Sequence, residues 1–347
     1  INGRDREFLT AAGIPEEMVF LLNNPVEPLE RVKGAGRKET VRGIEKVLSR
    51  SSDSYIKGAP LIIYPVRTIR RKNILEAGLI ARCSTNPVNL LVTLPGVSET
   101  EKGYSNLVDS CFDSGLIPGA VQAGVKAAED NISFLELIDT GNLIISSSVQ
   151  EGFGYLFINS LQWGRPLFAR DMEIIDGFRD IFKEKESYFY NEIKIPLRKS
   201  LREILRKEYY RKIGAVENFL DSHIISTLNH HIKQMLQMGT IDFSYLSPSM
   251  QRDFLKDLAD SGLLRETQTL NGSSLEMMEN LLSKDEMDFD KKGIERFSLS
   301  NHAEQIQKII SSFEDRIAGN IHTMDIQDNM LKSFAELSSI RLLYDPV

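Results

Sequence analysis

The sequence predicts an α/β protein with a Rossmann-like parallel sheet, followed by a mainly helical region. Up to about residue 170, short apolar runs alternate with segments of helical periodicity, which is typical of βαβ units around a parallel sheet. Several of these runs are apolar at nearly every position, as in strands that are buried on both faces. Beyond about Ile174, helical periodicity prevails and few strand signals remain.

The elements of the first region follow from these patterns. The predicted strands are residues 60–65, 88–94, 143–148 and 167–169. The predicted helices are residues 73–82, 105–112 and 155–163, the first of them marked by apolar residues at helical spacing. Gly164 ends the third helix, as glycine commonly does after a last turn.

Composition and charge limit the class of protein. The 347 residues are 41% hydrophobic and 26% charged, which is ordinary for a globular protein. The net charge of -7 argues against nucleic acid as the main partner, and no apolar run approaches the ~20 residues that span a bilayer. The two cysteines stand in no metal-like or redox-like spacing, which favours a reducing compartment. We therefore expect a cytoplasmic protein.

Two strand-to-helix junctions carry side chains suited to chemistry. In a parallel sheet, ligands bind beyond the carboxyl ends of the strands, where helix N-termini point backbone N–H groups at anions. At the first junction, Arg67 and Lys72 form a pair of cations that can grip a diphosphate. At the second, Glu151 precedes two glycines that flank Phe153, so that the backbone can approach a ligand and the carboxylate can accept hydrogen bonds from sugar hydroxyls. Either signal by itself is weak, and together they indicate one site.

Residues 148–154, Ser-Val-Gln-Glu-Gly-Phe-Gly, continue through Gly-Arg-Pro at 164–166 to Asp171. This run resembles the signature of retaining GT-B glycosyltransferases of family 4. Asn24-Pro25 after the apolar residues 19–22 resembles the strand and asparagine that open the C-terminal domain of that family. Phe297, leading into a helix to about residue 313, resembles its closing helix. The resemblance implies the C-terminal, donor-binding half of such an enzyme, with the Rossmann-like sheet of that half.

The resemblance also implies residue roles. Glu151 would contact the donor sugar, while Arg67 and Lys72 would bind the diphosphate, and we treat these three as the catalytic residues. The expected donor-binding residues are Gly152, Phe153, Gly154, Tyr155, Leu156 and Asn159. Asn159 stands where the family has a second glutamate, which binds the ribose hydroxyls. An amide can still donate and accept hydrogen bonds there, but it lacks the charge, which leaves open a degenerate site.

The resemblance divides the chain into four parts. Residues 1–24 would be the end of an acceptor domain with the crossover from it, and residues 25–174 the nucleotide-sugar-binding domain. Residues 175–313 would be a helical region with the closing helix, and residues 314–347 a C-terminal helical tail. The body of the acceptor domain would then be absent. We therefore expect this chain by itself to bind a donor weakly and to be inactive.

The expected function is transfer of a sugar, with retained configuration, from a nucleoside-diphosphate sugar to an unidentified acceptor. The diphosphate would take the proton of the acceptor, and no metal or other cofactor is expected. Asp285, Asp288 and Asp290 are interpreted as a solvated acidic run, because no calcium-loop glycine accompanies them. The alternatives are a catalytically degenerate scaffold, or another GT-B enzyme such as a sugar-nucleotide epimerase or a phosphorylase.

Residues 197–213 support a separate hypothesis. Leu197, Leu201, Ile204 and Leu205 form an apolar stripe, and lysines and arginines crowd the other faces. A basic amphipathic helix of this kind can make a peripheral contact with an anionic membrane. The plainer interpretation is a surface helix that packs on its own domain.

Overall fold

The computed structural model describes residues 3–27, 37–284, 291–313 and 337–345. Within these ranges a parallel sheet of six strands forms the centre of the molecule, in the order β3-β2-β1-β4-β5-β6. Its strands are β1 (Leu61–Arg67), β2 (Asn89–Leu94), β3 (Gly119–Ala120), β4 (Leu143–Ser146), β5 (Leu167–Arg170) and β6 (Ser187–Tyr190). The predicted fold class is therefore confirmed.

The buried strands form where the sequence is continuously apolar. All four residues of β4 and of β5 are buried, as are most residues of β1 and β2. Strands covered on both faces cannot alternate between polar and apolar residues, because neither face meets water. This is why unbroken runs such as Ile62-Ile63-Tyr64, with no exposed surface, mark the centre of the sheet.

Helices cover the sheet and continue beyond it. Those of the first part are α1 (Gly3–Ala11), α2 (Arg37–Ser51), α3 (Ile74–Cys83), α4 (Glu99–Asp113), α5 (Ala123–Glu129), α6 (Phe134–Thr140) and α7 (Tyr155–Gln162). Those of the second part are α8 (Lys199–Val216), α9 (Ser222–Gln237), α10 (Pro248–Asp257), α11 (Ser261–Leu270), α12 (Gly272–Leu282), α13 (Lys291–Glu295) and α14 (Leu299–Phe313). Helices α2, α5 and α6 pack on one another, whereas α3 and α4 pack against α10 from the second part.

The second part also contains strands that the sequence analysis did not predict. Strand β6 extends the central sheet beyond residue 174 by pairing with β5. Strands β7 (Lys194–Pro196) and β8 (Thr240–Asp242) form an antiparallel pair. Each has four residues or fewer, so these strands depend on their neighbours rather than on a pattern that can be recognised locally.

The prediction of a strand at residues 19–22 is wrong. The segment lies outside regular secondary structure, and its continuation contacts the start of α14 instead of joining the sheet. The backbone N–H of Val26 donates to the carbonyl of Phe297 at 2.7 Å, and the carbonyl of Asn23 lies 2.7 Å from Nδ1 of His302. The helix predicted after Phe297 does form, as α14.

The ends of the chain are described in part. Of the predicted helical tail at residues 314–347, residues 314–336 lie outside the described ranges, as do the aspartates at 285, 288 and 290. Residues 337–345 contain two 3-10 turns, Leu337–Ile340 and Leu342–Tyr344. Leu342 and Leu343 are fully buried, so this segment is packed into the second part of the molecule.

The basic segment forms α8, which packs on its own domain. Leu205, Tyr209 and Ile213 of this helix are buried, and Leu201 packs partly against the core. Ile204, by contrast, is 50% exposed. Most of the stripe thus faces the interior of the protein, as in an ordinary surface helix. Among the described residues, no helix combines the length and the apolar character that crossing a bilayer would require.

A buried charge network joins the sheet to the second part. Arg170, at the end of β5, donates to both carboxylate oxygens of Glu76 at 3.0 and 2.5 Å and to both of Asp242 at 2.9 and 2.8 Å. The hydroxyl of Tyr190 also donates to Glu76 at 2.8 Å. Burial by itself would raise the pKa of Asp242, but the adjacent guanidinium of Arg170 holds that pKa below its ordinary value. The network thus favours the charged form of Asp242, whereas burial raises the pKa of Glu76 above its ordinary value despite the adjacent Arg170.

Replacing Arg170 with methionine should lower the free energy of unfolding by about 3–5 kcal/mol, because two buried carboxylates lose their cation. Denaturant titration measures this loss. Arg179→Met is the matched control, since Arg179 is 42% exposed and pairs with Asp171 and Asp176 at the surface. The control should lose less than about 1 kcal/mol. Equal losses in the two variants would contradict the assigned importance of the network.

Candidate functional site

The candidate site lies where the order of the strands reverses. From β1 the chain proceeds through β2 to β3 on one side of the sheet, and β4, β5 and β6 follow on the other side. The adjacent strands β1 and β4 therefore lie on the two sides of this reversal, and the loops that follow them leave the same carboxyl edge of the sheet. Such a switch point is where open α/β sheets bind their ligands.

The loop after β1 carries a cationic turn, defined here as Arg70, Arg71 and Lys72 in a 3-10 conformation. Lys72 is buried, and burial lowers the pKa of its ammonium group, although the charge of Glu151 opposes the shift. The carbonyl of Lys72 accepts hydrogen bonds from the Tyr64 hydroxyl at 2.8 Å and from the Ser147 hydroxyl at 3.1 Å. Residues of β1 and of the segment after β4 thus set the position of Lys72.

The loop after β4 brings Glu151 to the cationic turn. Its carboxylate oxygen Oε1 contacts Nζ of Lys72, and Oε2 accepts from Nη1 of Arg71 at 3.3 Å. The hydroxyl of Ser148 donates to Oε1 at 2.7 Å and lies 3.0 Å from the hydroxyl of Tyr64. The backbone N–H of Val149 donates to the carbonyl of Arg71 at 2.9 Å. Side-chain and backbone hydrogen bonds therefore join the two loops directly.

Arg67 lies at the same edge but has another partner. It ends β1, its side chain is 47% exposed, and its Nη1 lies 3.5 Å from Oε2 of Glu101 at the start of α4. Glu101 also accepts from the backbone N–H groups of Val97 and Ser98 at 3.0 and 3.2 Å. Burial would raise the pKa of Glu101, but these backbone hydrogen bonds and Arg67 lower it below its ordinary value. Arg67 is therefore held at the exposed edge of the site by Glu101.

The predicted donor-binding residues surround the start of α7. Gly154 has φ of +78° and precedes the helix, and a Cβ at this position would lie 2.9 Å from the ring of Phe178. Gly152 and Tyr155 are exposed, Phe153 and Asn159 are half-buried and Leu156 is buried. The rings of Phe153 and Tyr155 lie 5.3 Å apart between centroids. Their contacts with a donor stay predictions.

Three residues of this site were not predicted from the sequence. Arg71 contacts Glu151, Ser148 orients the same carboxylate, and Tyr64 joins Ser148 to the carbonyl of Lys72. Arg71 could have been found from its position beside Lys72, and Ser148 from its place within the Glu-Gly-Phe-Gly run. The sequence does not indicate the role of Tyr64, because an aromatic ring fits a buried strand whether or not its hydroxyl contacts the site.

The segment 337–345 packs behind the cationic turn. Nη1 of Arg70 lies 3.5 Å from the carbonyl of Tyr344. Lys212 of α8 holds the segment by donating to the carbonyl of Arg341 at 3.0 Å and to Oδ1 of Asp345 at 2.5 Å. The turn is thus supported by the second part of the molecule as well as by the sheet.

The arrangement suits a ligand that has both an anionic group and hydroxyl groups. Arg67 and Arg71 keep 47% and 40% of their side-chain surface exposed, so they can meet an anion at the carboxyl edge of the sheet. Glu151 lies deeper, where a carboxylate can accept hydrogen bonds from hydroxyls. Within the described ranges, no three His, Cys, Asp or Glu side chains come together as they would around a metal ion.

Comparison with known proteins identifies the family. No protein-family model matches the chain. The curated mannosylglucosyl-3-phosphoglycerate synthase of Petrotoga mobilis is 30% identical over 360 residues, which cover 99% of this chain and 67% of the synthase. The chain belongs to the same glycosyltransferase family as this synthase. In this glycosyltransferase chain, Lys72 and Glu151 meet at the switch point of the sheet.

Two solved structures are similar at a lower level. The apo form of the lipopolysaccharide outer core galactosyltransferase WaaB is 14% identical with a TM-score of 0.39, over 90% of this chain and 60% of WaaB. TarM is 13% identical with a TM-score of 0.33, over 78% of this chain and 40% of TarM. The chain thus spans less than two thirds of either protein. Because both TM-scores are below 0.5, the family assignment depends on the synthase.

Glu151→Gln should lower the pKa of the Lys72 ammonium group further. Burial already lowers this pKa, and the charge of Glu151 is the largest opposing influence, so its removal leaves burial less opposed. NMR titration of lysine labelled with ¹³C at Cε measures the change. Glu99→Gln is the control, because Glu99 is an exposed carboxylate that contacts Lys102. If the titration of Lys72 were the same in both variants, its charge would not be coupled to Glu151.

Proposed function

We propose that the full-length protein is a retaining glycosyltransferase that uses a nucleoside-diphosphate sugar, and that this chain carries the donor site. The observation that carries the proposal is the contact of Lys72 with Glu151 at the switch point, between residues that lie far apart in the chain. A cation for a diphosphate and a carboxylate for a sugar are thereby adjacent. A sugar and a diphosphate are likewise adjacent in a nucleotide sugar, because they are bonded to each other.

Arg67 and Lys72 would bind the diphosphate from two directions. Arg67 is half exposed and held by Glu101, and Lys72 is buried and held by the contacts of its carbonyl. As the bond between the sugar and the diphosphate breaks, negative charge builds up on the leaving oxygen. Two fixed cations stabilise that charge more than they stabilise the bound donor, which lowers the barrier.

Glu151 would orient the donor sugar by accepting hydrogen bonds from its hydroxyls. In the ligand-free protein its carboxylate is held by Ser148, Arg71 and Lys72. Donor binding would give Lys72 the diphosphate as a second anionic partner, while Ser148 and Arg71 keep the carboxylate in place. Backbone N–H groups at the start of α7, from Phe153 to Leu156, would meet the distal phosphate or the sugar.

The reaction then replaces one bond at the anomeric carbon with another on the same face. The bond from this carbon to the diphosphate oxygen breaks, and its electron pair stays on the diphosphate. A bond to the acceptor oxygen forms, and the acceptor proton passes to the departing diphosphate. The residues of this chain bind, orient and neutralise charge, and none of them has to take up the proton.

The acceptor proposed for the full-length protein follows from its relative. The synthase is named after a product in which mannosyl and glucosyl groups are attached to 3-phosphoglycerate. We therefore propose a glucosylated 3-phosphoglycerate as acceptor and a hexose as the transferred group.

Asn159, which is half-buried on α7, would contact the ribose of the donor as a neutral group.

The proposal is tested with the full-length protein and a panel of GDP-, UDP- and ADP-linked hexoses, with glucosyl-3-phosphoglycerate as acceptor. One donor should raise the Tm and give a product whose new anomeric configuration, read by NMR, matches that of the donor. Inversion would exclude the retaining mechanism. If no donor raises the Tm, the degenerate scaffold is favoured. Conversion of labelled donor without an acceptor would indicate an epimerase, and transfer to inorganic phosphate a phosphorylase.

Glu151→Ala and Lys72→Met should each lower kcat/KM by about 10²-fold or more, because each removes a preorganised charged group from the transition state. Steady-state kinetics with the preferred donor measures the loss. Lys102→Met is the matched control for the lysine, since Lys102 is exposed at the surface and contacts Glu99. It should keep the activity of the unmodified protein. Full activity of Glu151→Ala would refute the role assigned to this carboxylate.

A further inference from the structure

We propose that Gln251 is a positioning residue for the donor site. Its side chain donates a hydrogen bond to Asn73, and this hydrogen bond, the clasp, holds the adjacent Lys72 in place from the second part of the molecule. This inference rests on the proposed function, in which Lys72 binds the donor diphosphate. It gives the helical part of the chain a role in the reaction through the contact of α10 with Asn73.

Asn73 is the C-terminal cap of the cationic turn. It follows Lys72 directly, precedes α3 and is fully buried. Its φ and ψ are both 49°, in the left-handed region, which asparagine adopts more readily than other residues with a Cβ because its side chain can hydrogen-bond locally. A residue in this conformation needs support from its surroundings. If that support were removed, the backbone at Asn73 could relax, and the adjacent Lys72 would change direction.

The side chain of Asn73 is held at both ends. Its Nδ2 donates to Oε2 of Glu76 at 2.8 Å, within the first turn of α3. Its Oδ1 accepts from Nε2 of Gln251 at 2.9 Å, and Gln251 belongs to α10. Glu76 is itself fixed by Arg170 and Tyr190. The hydrogen bond from Gln251 is therefore the point at which α10 reaches the turn that carries Lys72.

The side-chain amide of Gln251 acts as a hydrogen-bond donor. Its Nε2 also donates to the carbonyl of Phe243 at 3.0 Å, so both amide hydrogens have acceptors. Its Oε1 is buried and has no hydrogen-bond partner among the described residues. A buried acceptor without a partner costs stability. This cost accompanies the orientation in which Gln251 makes its two donated hydrogen bonds. It is consistent with a role for these bonds beyond stabilising the fold.

The test compares Gln251→Met with Gln268→Met in the full-length protein. Both residues bridge a helix of the second part to α3, since Nε2 of Gln268 donates to the carbonyl of Cys83 at the far end of that helix, at 3.1 Å. Gln251→Met removes the hydrogen bonds to Asn73 and to the carbonyl of Phe243. It should raise the KM for the donor about 10-fold, the effect expected for the bond to Asn73, and should also lower kcat, because a displaced Lys72 stabilises the departing diphosphate less. The KM for the acceptor should change little. Gln268→Met should leave the donor KM unchanged.

Asn73→Gly provides a second variant in case Gln251→Met folds poorly. Glycine can adopt the left-handed conformation but is equally free to leave it, and it cannot make either of the side-chain hydrogen bonds that hold Asn73. It should raise the donor KM to a similar extent, and the double variant should be no worse than the single ones, because all three lack the same contact. Additive effects, or an unchanged donor KM in Gln251→Met, would overturn the clasp.

The outcome for Lys72→Met separates the two proposals. If Lys72→Met impairs transfer and Gln251→Met does not change the donor KM, the clasp fails and the proposed function stands. If Lys72→Met has no effect on transfer, the proposed role of Lys72 fails, and the clasp proposal fails with it.

Discussion

The contact between Lys72 and Glu151 is the interaction on which the site depends. It joins loops that leave neighbouring strands at the switch point, and both side chains are largely buried. A buried ion pair stabilises a structure only where further hydrogen bonds satisfy its atoms. Ser148 and Arg71 provide these for the carboxylate, and Tyr64 and Ser147 hold the backbone of Lys72. The two loops are therefore positioned relative to each other before any ligand binds, which reduces the ordering that a ligand would have to impose.

The second part of the chain is structurally continuous with the sheet. Arg170 of β5, Glu76 of α3 and Asp242 of β8 share one network, and Asn73 and Gln251 extend it to the cationic turn. Segment 337–345 packs against the same turn from another direction. Elements that are distant in the sequence thus converge behind Lys72. The site consequently has a rigid support on the side away from solvent, while Arg67 at its solvent-facing edge remains half exposed.

The strands that sequence analysis recovered are those whose residues are buried on both faces. The predicted runs at 60–65, 88–94, 143–148 and 167–169 correspond to β1, β2, β4 and β5, because a continuously apolar stretch has few other places in a soluble fold. Strand β3 has two residues, and β6 is set by pairing with β5, so neither carries a local signal. The same limit explains the error at residues 19–22, where an apolar run precedes contacts with Phe297 and His302 rather than sheet pairing.

By itself the sequence determined that Lys72 and Glu151 leave buried strands at their carboxyl ends, and parallel strands place those ends along one edge. Only the tertiary structure decided which side chains meet there. Arg67 turned out to pair with Glu101, and Arg71 took the place beside Glu151. Local pattern shows where a strand ends and which residues follow it. The partners of those residues depend on the distances between segments that fold together from distant parts of the chain, and such distances leave no trace in local periodicity.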